Sequence, residues 1–229
     1  MERKIALTIL GITLVALALA ILLPGGRTVS EHPKLPWLIE KDAQGSITVF
    51  GVTLGRSTLQ EMRDGLQEQG VLNLFVAPGE DELSVEVYFE RLFLSGIRGD
   101  LVATLEVDRQ TLEQMYRRGL RISKLESGAR KVKLTRPDEE RLRNSRIAHL
   151  TYIPQADLDE ALLVRRFGKP ARRATEASGV VHLLYPDKGL DIAVNPDGRE
   201  VFQYLPPSRF DRVTAPLEQD PAGRPANGR

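Results

Sequence analysis

The sequence predicts an α+β fold, and three observations support this class. Two short helices carry N-terminal capping patterns, each is followed by strands joined through tight turns, and the second half of the chain repeats the order of the first. Connections this short cannot make the crossovers that parallel strands need. We therefore expect two related lobes, residues 47–146 and 147–213, each a helix followed by an antiparallel meander.

The first lobe begins with a predicted strand over 47–52, which leads through Gly55 into a helix. A capping box opens this helix, formed either by Ser57 with Gln60 or by Thr58 with Glu61. We expect the helix to run to about residue 69, with Gly70 as its left-handed terminator. The remaining elements are strands over 71–77, 83–90 and 101–107, a helix capped by Asp108 and stopped at Gly119, a basic strand over 130–134 and a short helix opening at Pro137.

The second lobe begins with a strand over 149–153. Asp157 with Glu160 predicts a second capping box, 99 residues after Thr58, so the sequence suggests an internal duplication. Gly168 and Pro170 end this helix, and we expect Gly168 to adopt a left-handed conformation. Strands over 180–185, 190–194 and 201–204 follow, joined by turns that contain Gly189 and Gly198.

The N-terminal region contains an uncharged run of 19 residues, Ile5 to Leu23. At about 1.5 Å per residue a helix of this length spans roughly 28 Å, close to the hydrocarbon thickness of a bilayer. A cleaved signal peptide is the alternative, since Ala18 to Ala20 offers an A-x-A site. The apolar run continues past that site, so we favour an uncleaved anchor over residues 1–26; a soluble core helix is the third option. Arg3 and Lys4 favour a cytoplasmic N-terminus.

Either membrane interpretation exports the rest of the chain. We therefore predict a single-pass inner-membrane protein whose C-terminal part lies in the periplasm. Residues 27–46 are expected to form a tether, in which Trp37 either sits at the membrane interface or anchors the tether to the domain. Residues 214–229 have three Pro and two Gly and are expected to be a disordered tail.

The composition excludes several function classes. The chain has no cysteine, which excludes thiolate metal sites, cysteine nucleophiles and lipoprotein acylation. Its net charge of +1 provides no global field for nucleic acid, and we expect neither a nucleic-acid partner nor a cofactor. The three histidines, His32, His149 and His182, lack metal-ligand spacing, and we expect His182 to be a packed or surface strand residue.

Several stretches resemble known envelope proteins. VFGVTLGRSTL at 49–59, FGKP at 167–170 and LYPDKGLD at 184–191 are similar to a group of uncharacterised single-pass proteobacterial envelope proteins, over most of residues 37–213. The order of capped helix, Phe-Gly-x-Pro and meander resembles, more distantly, the SmpA/OmlA outer-membrane assembly lipoproteins and the repeat of β-lactamase inhibitor protein. That resemblance implies a binding module without catalytic activity. Because no cysteine is present, it does not imply a lipid anchor.

The charged residues suggest one candidate surface. Residues 117–146 hold eleven basic and four acidic residues, a net charge of +7, which leaves −6 for the rest of the chain. Near a membrane each such cation contributes about 1 kcal/mol of attraction to anionic headgroups. The alternative is a solvated face balanced by the acidic hairpin at residues 80–90. We expect anionic-surface binding through Arg117, Arg118, Arg121, Lys124, Arg130, Lys131 and Lys133.

The sequence thus predicts a membrane-anchored periplasmic binding or envelope-assembly module, with an envelope protein and anionic lipid headgroups as partners. The alternative function is a hydrolase or transferase that acts on an envelope polymer through a carboxylate pair. Glu86 and Glu90 share a strand in the acidic hairpin, but a solvated face explains them more simply. A cleft in which carboxylates converge, one of them with a raised pKa, would favour the enzyme.

Overall fold

A ten-stranded antiparallel sheet dominates the computed structural model, which describes residues 33–78, 82–196 and 198–219. The strands of the described residues are β1 Glu40–Lys41, β2 Ile47–Val49, β3 Val52–Thr53, β4 Val71–Val76, β5 Leu83–Leu94, β6 Ile97–Leu105, β7 Arg121–Lys124, β8 Arg130–Lys133, β9 Ile147–Pro154, β10 Arg172–Thr175, β11 Val181–Tyr185, β12 Leu190–Val194 and β13 Val201–Tyr204. The large sheet has the order β10-β11-β12-β13-β9-β6-β5-β4-β8-β7, and β1-β2-β3 form a small second sheet.

Five α-helices occur in the described part of the chain: α1 Leu59–Leu66, α2 Arg109–Arg118, α3 Arg136–Arg141, α4 Glu160–Phe167 and α5 Asp211–Gln219. All neighbouring strands of the large sheet run antiparallel. The predicted α+β class is confirmed. Three strands were not predicted: the two-residue strand β1, and β7 and β10, four-residue strands at the opposite edges of the large sheet.

Strand β9 joins the two halves of the chain within one sheet. It pairs with β6 on one side, where Leu101 lies opposite Tyr152, and with β13 on the other, where Phe202 lies opposite the same tyrosine. The predicted lobe boundary at residues 146 and 147 falls immediately before this strand. The hydrogen-bonded sheet is therefore continuous across that boundary.

The first predicted strand is wrong in its extent, because residues 47–53 form a hairpin. Val49 pairs with Val52, and the two residues between them have positive φ angles, 55° at Phe50 and 81° at Gly51. Positive φ at both central residues is the geometry of the tight turns that connect antiparallel strands. The turn places the Phe50 side chain in the core, where it is 3% exposed.

The helix caps are close to prediction but differ in detail. Thr58 and Glu61 form the predicted capping box of α1. The helix ends at Leu66 because Gln67 is left-handed; Gly70, the predicted terminator, also has a positive φ of 64° but lies three residues further on. Asp108 caps α2 as predicted. In the second lobe Asp159 caps α4 in place of Asp157, and its side chain accepts a hydrogen bond from the Leu162 N–H.

Gly168 ends α4, but not in the expected conformation. Its φ of 86° is positive, while its ψ of −178° lies outside the left-handed helical region. This combination is accessible essentially only to glycine. The Tyr185 hydroxyl donates to the Gly168 carbonyl at 3.0 Å, which fixes the helix end against β11.

One face of the large sheet, which we call the core face, carries most of the buried apolar side chains. Tyr152 and Phe202 lie on it next to Phe50 and Phe167, with ring centroids 5.1 to 5.9 Å apart for the contacting pairs Phe50–Tyr152, Tyr152–Phe202 and Phe167–Phe202. Helices α1, α2 and α4 bury Met62, Met115 and Phe167 in the same cluster. Such interdigitation is what stabilises a sheet with helices on one face.

The opposite face, the outer face, is covered at one end by α5. Phe210 and Leu217 pack there against Ala174 and Leu184. The prediction of a disordered tail is therefore wrong for residues 214–219, which are helical, because burial of these apolar side chains outweighs the helix-breaking tendency of Pro216. The rest of the predicted tail lies outside the described residues.

The described part of the predicted tether packs on the domain. Trp37 is half-buried against the core cluster, so of its two alternative roles the structure has the anchoring one. Strand β1 then pairs with β2. The predicted membrane segment, Ile5 to Leu23, and His32 lie outside the described residues. Among the described residues, no helix has the length and apolar character required to span a bilayer.

Candidate functional site

Three of the seven predicted cations line one open groove at the β7 edge of the sheet. Arg121 comes from β7, and Lys131 and Lys133 come from β8. Arg63 from α1 completes the set, and the groove has a volume of about 560 Å³. We call this the basic groove.

Strand alternation explains why these side chains meet. Arg121 pairs with Lys133 and Ser123 pairs with Lys131, so all four project to the same face of the β7–β8 hairpin. Val132, between the two lysines, projects to the other face, where it is fully buried. The burial of this one valine therefore sets the direction of both ammonium groups.

The groove also offers neutral hydrogen-bonding groups. Asn73 on β4 lines it with a side-chain amide and is only 7% exposed. Ser123 contributes a hydroxyl. Glu139, from α3, is the one carboxylate among the described lining residues. Four cations, an amide and a hydroxyl against one carboxylate give the described lining of the groove a net positive charge.

Arg63 was not predicted, because it lies far from residues 117–146 in the sequence and reaches the groove only through the packing of α1. Its Nε donates to the carbonyl of Gln69 at 2.7 Å, which orients the guanidinium. Burial lowers the pKa of Arg63, the neighbouring Arg143 lowers it further, and Glu139 opposes this effect. An anion bound beside Arg63 would favour its charged form and so offset both effects by attraction.

The other four predicted cations lie elsewhere. Arg118 donates to both carboxylate oxygens of buried Asp138, at 2.7 and 3.4 Å, and so serves the fold. Arg130 donates to the Tyr116 hydroxyl at 3.1 Å, and its guanidinium lies 5.6 Å from the centroid of that ring. Arg117 and Lys124 are exposed and do not line the groove. The basic segment is therefore divided among several surfaces.

The acidic hairpin does not bring its two named carboxylates to a cleft. The Ser84 hydroxyl donates to Glu86 at 2.9 Å. Burial raises the pKa of Glu86, and this hydrogen bond partly opposes the rise. Glu90 is exposed beside Arg91 at 3.3 Å. Glu80 and Asp81 lie outside the described residues.

A second cleft, of about 400 Å³, lies between the outer face and α5 and contains two histidines. The ring of His182 lies between two carboxylates, with Nδ1 2.9 Å from Oδ2 of Asp191 and Nε2 3.0 Å from Oε1 of Glu176. His182 is 6% exposed and Asp191 is fully buried. His182 is thus a packed strand residue, one of the two expected placements. Its carboxylate partners, 6 residues before it and 9 after it, were not predicted.

The cluster of His182, Asp191 and Glu176 favours the protonated form of the imidazole. Burial lowers the pKa of His182, but the carboxylates of Asp191 and Glu176 together outweigh burial, and the net pKa lies above the ordinary 6.5. Burial raises the pKa of Asp191, against the opposing influence of His182. Both ring nitrogens of the imidazole are occupied, whereas Oδ1 of Asp191 is buried without a hydrogen-bond partner among the described residues.

His149, the other histidine of this cleft, behaves differently. Its Nε2 lies 2.8 Å from the Thr104 hydroxyl oxygen. Burial lowers the pKa of His149, and Arg212 lowers it further. Among residues 33–78, 82–196 and 198–219, no three His, Asp or Glu side chains are grouped so that they could hold a metal ion.

Comparison with known proteins gives no match: no family model, no curated protein and no solved structure is similar to this chain.

Proposed function

We propose that this chain is a membrane-anchored binding module of the cell envelope, without catalytic activity, that binds anionic headgroups through the basic groove. In this proposal Ile5 to Leu23 anchors the chain in the inner membrane, and the two related lobes lie in the periplasm. The observation that carries the proposal is the convergence of Arg63, Arg121, Lys131 and Lys133 on one groove.

The composition of the groove suits a phosphate group. Guanidinium groups bind phosphate oxygens in a bidentate manner, and lysines add point charges. The Asn73 amide and the Ser123 hydroxyl supply further hydrogen bonds. In a chain of net charge +1, this local excess of cations is what would attract an anionic surface.

The expected anchor supports a membrane surface as the source of the headgroups, because it would hold the groove near the bilayer. Val71, which lines the groove, is 59% exposed and could contact the headgroup region. Leu120 and Ile122 are 64% and 53% exposed, but Ile122 lies opposite Val132 and projects to the other face of the β7–β8 hairpin, away from the groove.

Vesicle binding tests this proposal with residues 34–229, since the described residues of this range form one compact unit. We expect binding to vesicles that contain phosphatidylglycerol and none to pure phosphatidylcholine. Binding should weaken with salt, since the Debye length falls from ~10 Å at 0.1 M to ~3 Å at 1 M. The charge reversals Lys131→Glu and Lys133→Glu together should abolish it. The matched control reverses Lys169 and Lys188, which lie outside the groove; equal behaviour of both variants would refute the proposal.

The anchor has its own test. The intact mass of protein extracted from membranes distinguishes a retained N-terminal segment from a cleaved one. We expect the full chain, because the apolar run continues past the A-x-A site. A mature chain that begins at Ile21 would replace the anchor with a signal peptide.

The proposed envelope protein partner is tested by in-membrane crosslinking followed by mass spectrometry. We expect crosslinks from the exported part of the chain to an envelope protein. Crosslinks to lipid alone would leave headgroup binding as the whole function.

A hydrolase or transferase is the second proposed function, and one observation favours it. Glu176 and Asp191 converge on His182 in a cleft, and burial raises the pKa of Asp191. General acid catalysis needs a carboxyl group with such a raised pKa. Incubation with envelope polymer fragments tests this function: turnover that Asp191→Asn abolishes would support it, and the same products from both proteins would exclude this site.

A further inference from the structure

A mostly apolar cavity of about 420 Å³ lies where the central strand β6 begins and β9 ends, between these strands, residues 36–37 and α4. Its size falls within the range of about 300–1,000 Å³ that is usual for small-molecule sites. The apolar lining consists mainly of Trp37, Ile97, Pro154, Leu158 and Leu162. None of the residues of the basic groove or of the histidine cleft lines it.

The wall formed by residues 36–37 is held in place by the core. The buried hydroxyl of Tyr204 donates to the carbonyl of Pro36 at 2.8 Å. The Trp37 ring packs against the core cluster on one side. The cavity is therefore formed before any ligand enters, which avoids an ordering cost on binding.

One cation directs its side chain to the cavity. The Arg166 guanidinium lies 4.6 Å from the centroid of the Trp37 ring, forms no ion pair within the described residues, and has no carboxylate beside it among the described lining residues. Arg98 also borders the cavity, but it alternates with Ile97 and Gly99, so its side chain projects to the outer face, where the guanidinium lies 5.8 Å from the centroid of the Phe93 ring. The charge at the cavity is thus positive and is not balanced within it.

Tyr152 adds a hydrogen-bonding group without a partner. It lines the cavity and is 1% exposed, and its hydroxyl makes no hydrogen bond within the described residues. Burial, assisted by Asp100, raises the pKa of Tyr152 to about 12, so the hydroxyl keeps its proton and can donate it. Gly99 leaves the room for this group, because a Cβ at that position would lie 2.6 Å from the hydroxyl oxygen.

We infer that this cavity binds an amphiphile with a single apolar chain and an anionic head, of which a fatty acid carboxylate is the simplest. The apolar lining takes the chain, and the Arg166 guanidinium and the Tyr152 hydroxyl meet the head. Guanidinium forks match carboxylate oxygens, and their charge excludes a cationic amphiphile. The inference goes beyond the proposed function and does not depend on it, because the two sites share no residue.

Photoaffinity labelling of the full chain tests the inference. The protein is placed in phosphatidylcholine nanodiscs, dodecanoate with a diazirine on its chain is added, and labelled peptides are located by mass spectrometry after irradiation. We expect labels on Ile97, Leu158 and Leu162. Unlabelled dodecanoate should compete for these positions, whereas dodecan-1-ol, which lacks the charge, should compete about tenfold more weakly.

Variants separate this site from general lipid contact. Arg166→Ala should lower the labelling about tenfold, while the matched exposed variant Arg165→Ala should not change it. Leu162→Phe should fill the cavity and prevent labelling; if this variant does not fold, the two arginine variants, which alter exposed residues, decide. Labels spread over the surface, equal competition by the alcohol, or equal labelling of the two arginine variants would overturn the inference.

Discussion

Nδ1 of His182 lies 2.9 Å from Oδ2 of Asp191, a carboxylate with no solvent exposure on the neighbouring strand β12. A buried carboxylate requires a partner, because the cost of removing its charge from water is otherwise uncompensated. The imidazole supplies that partner only while it carries its proton on the appropriate nitrogen. Glu176, on the other side of the ring, adds a second acceptor. The stability of this end of the sheet should therefore depend on pH.

The first prediction concerns His182→Gln. The folded-state pKa of His182 is raised above 6.5, so its contribution to the free energy of unfolding is complete below about pH 6.5 and is lost as the pH rises through the folded-state pKa. We expect the substitution to cost about 1–3 kcal/mol at pH 6 and less at pH 8.5. Urea unfolding of both proteins at each pH measures it, and a cost that does not change with pH would contradict the ion-pair role.

His149→Gln is the matched control on the same face of the sheet. The pKa of His149 is lowered, so its neutral form is the one the fold favours. The contribution of His149 to the free energy of unfolding is present above about pH 6.5 and is lost as the pH falls through the lowered pKa. The cost of this substitution should thus decrease towards acid pH, the opposite trend to His182→Gln.

The second prediction concerns the pairing of Arg118 with Asp138. The hydrogen bond from Arg118 is the main cause that holds the pKa of Asp138 below 3.8, and this carboxylate is 2% exposed. The contribution of the Asp138 carboxylate to the free energy of unfolding is present above pH 3.8 and is lost as the pH falls through the lowered pKa. We expect Asp138→Asn to cost about 1–3 kcal/mol at pH 7 and little at pH 2.5, by chemical denaturation. Arg118→Ala should follow the same pH trend, whereas Arg117→Ala, one residue away and exposed, should have no such dependence.

The third prediction concerns two exposed glycines of different backbone conformation. Gly168 has a φ of 86°, so Ala is strained there although no atom lies within 4 Å of its Cβ position. Gly168→Ala should cost about 1–3 kcal/mol. Gly65 lies inside α1 with helical geometry, and Gly65→Ala should increase stability by about 0.5–1 kcal/mol. Thermal unfolding measures both, and a loss of stability in each would show that packing, not backbone conformation, decides.

The fourth prediction concerns the turn between β11 and β12. A Cβ on Gly189 would lie 2.0 Å from the carbonyl oxygen of Leu205. The two residues are held together because the Leu205 N–H donates a hydrogen bond to the Gly189 carbonyl. Gly96 also has a positive φ, 94°, but has open space around it. Gly96→Ala should therefore show backbone strain alone, about 1–3 kcal/mol. Gly189→Ala should cost clearly more in the same denaturation experiment, since the backbone itself must move.

Sequence patterns predicted the local structure well and the assembly poorly. Thr58, Asp108 and the Gly–Pro stop after Phe167 have their effects within one helical turn, so they can be recognised without the fold. Strand β7 was missed because Ile122, its central apolar residue, is 53% exposed and leaves no alternation of buried and exposed positions. The Gln67 terminator was missed because a non-glycine left-handed residue has no compositional signal.

The candidate sites show the same difference between local patterns, which the sequence reveals, and tertiary contacts, which it does not. The alternation of Lys131, Val132 and Lys133 is visible in the sequence, and the structure has it. The contribution of Arg63 is not visible, because only the packing of α1 brings it to the groove. Likewise, the ring of His182 meets Asp191 through the register of β11 and β12, and no spacing rule connects such a pair.

The position of β9 has a consequence for biogenesis. Strand β6 is complete at residue 105, yet its hydrogen-bonding partner on one side comes only with residues 147–154. In a chain that emerges from its N-terminus, in synthesis or in the proposed export, the backbone amides and carbonyls on that side of β6 therefore stay unpaired while some forty further residues follow, and unpaired edges template intermolecular association. We expect a chain interrupted before residue 147 to be more susceptible to proteases and aggregation than the whole protein.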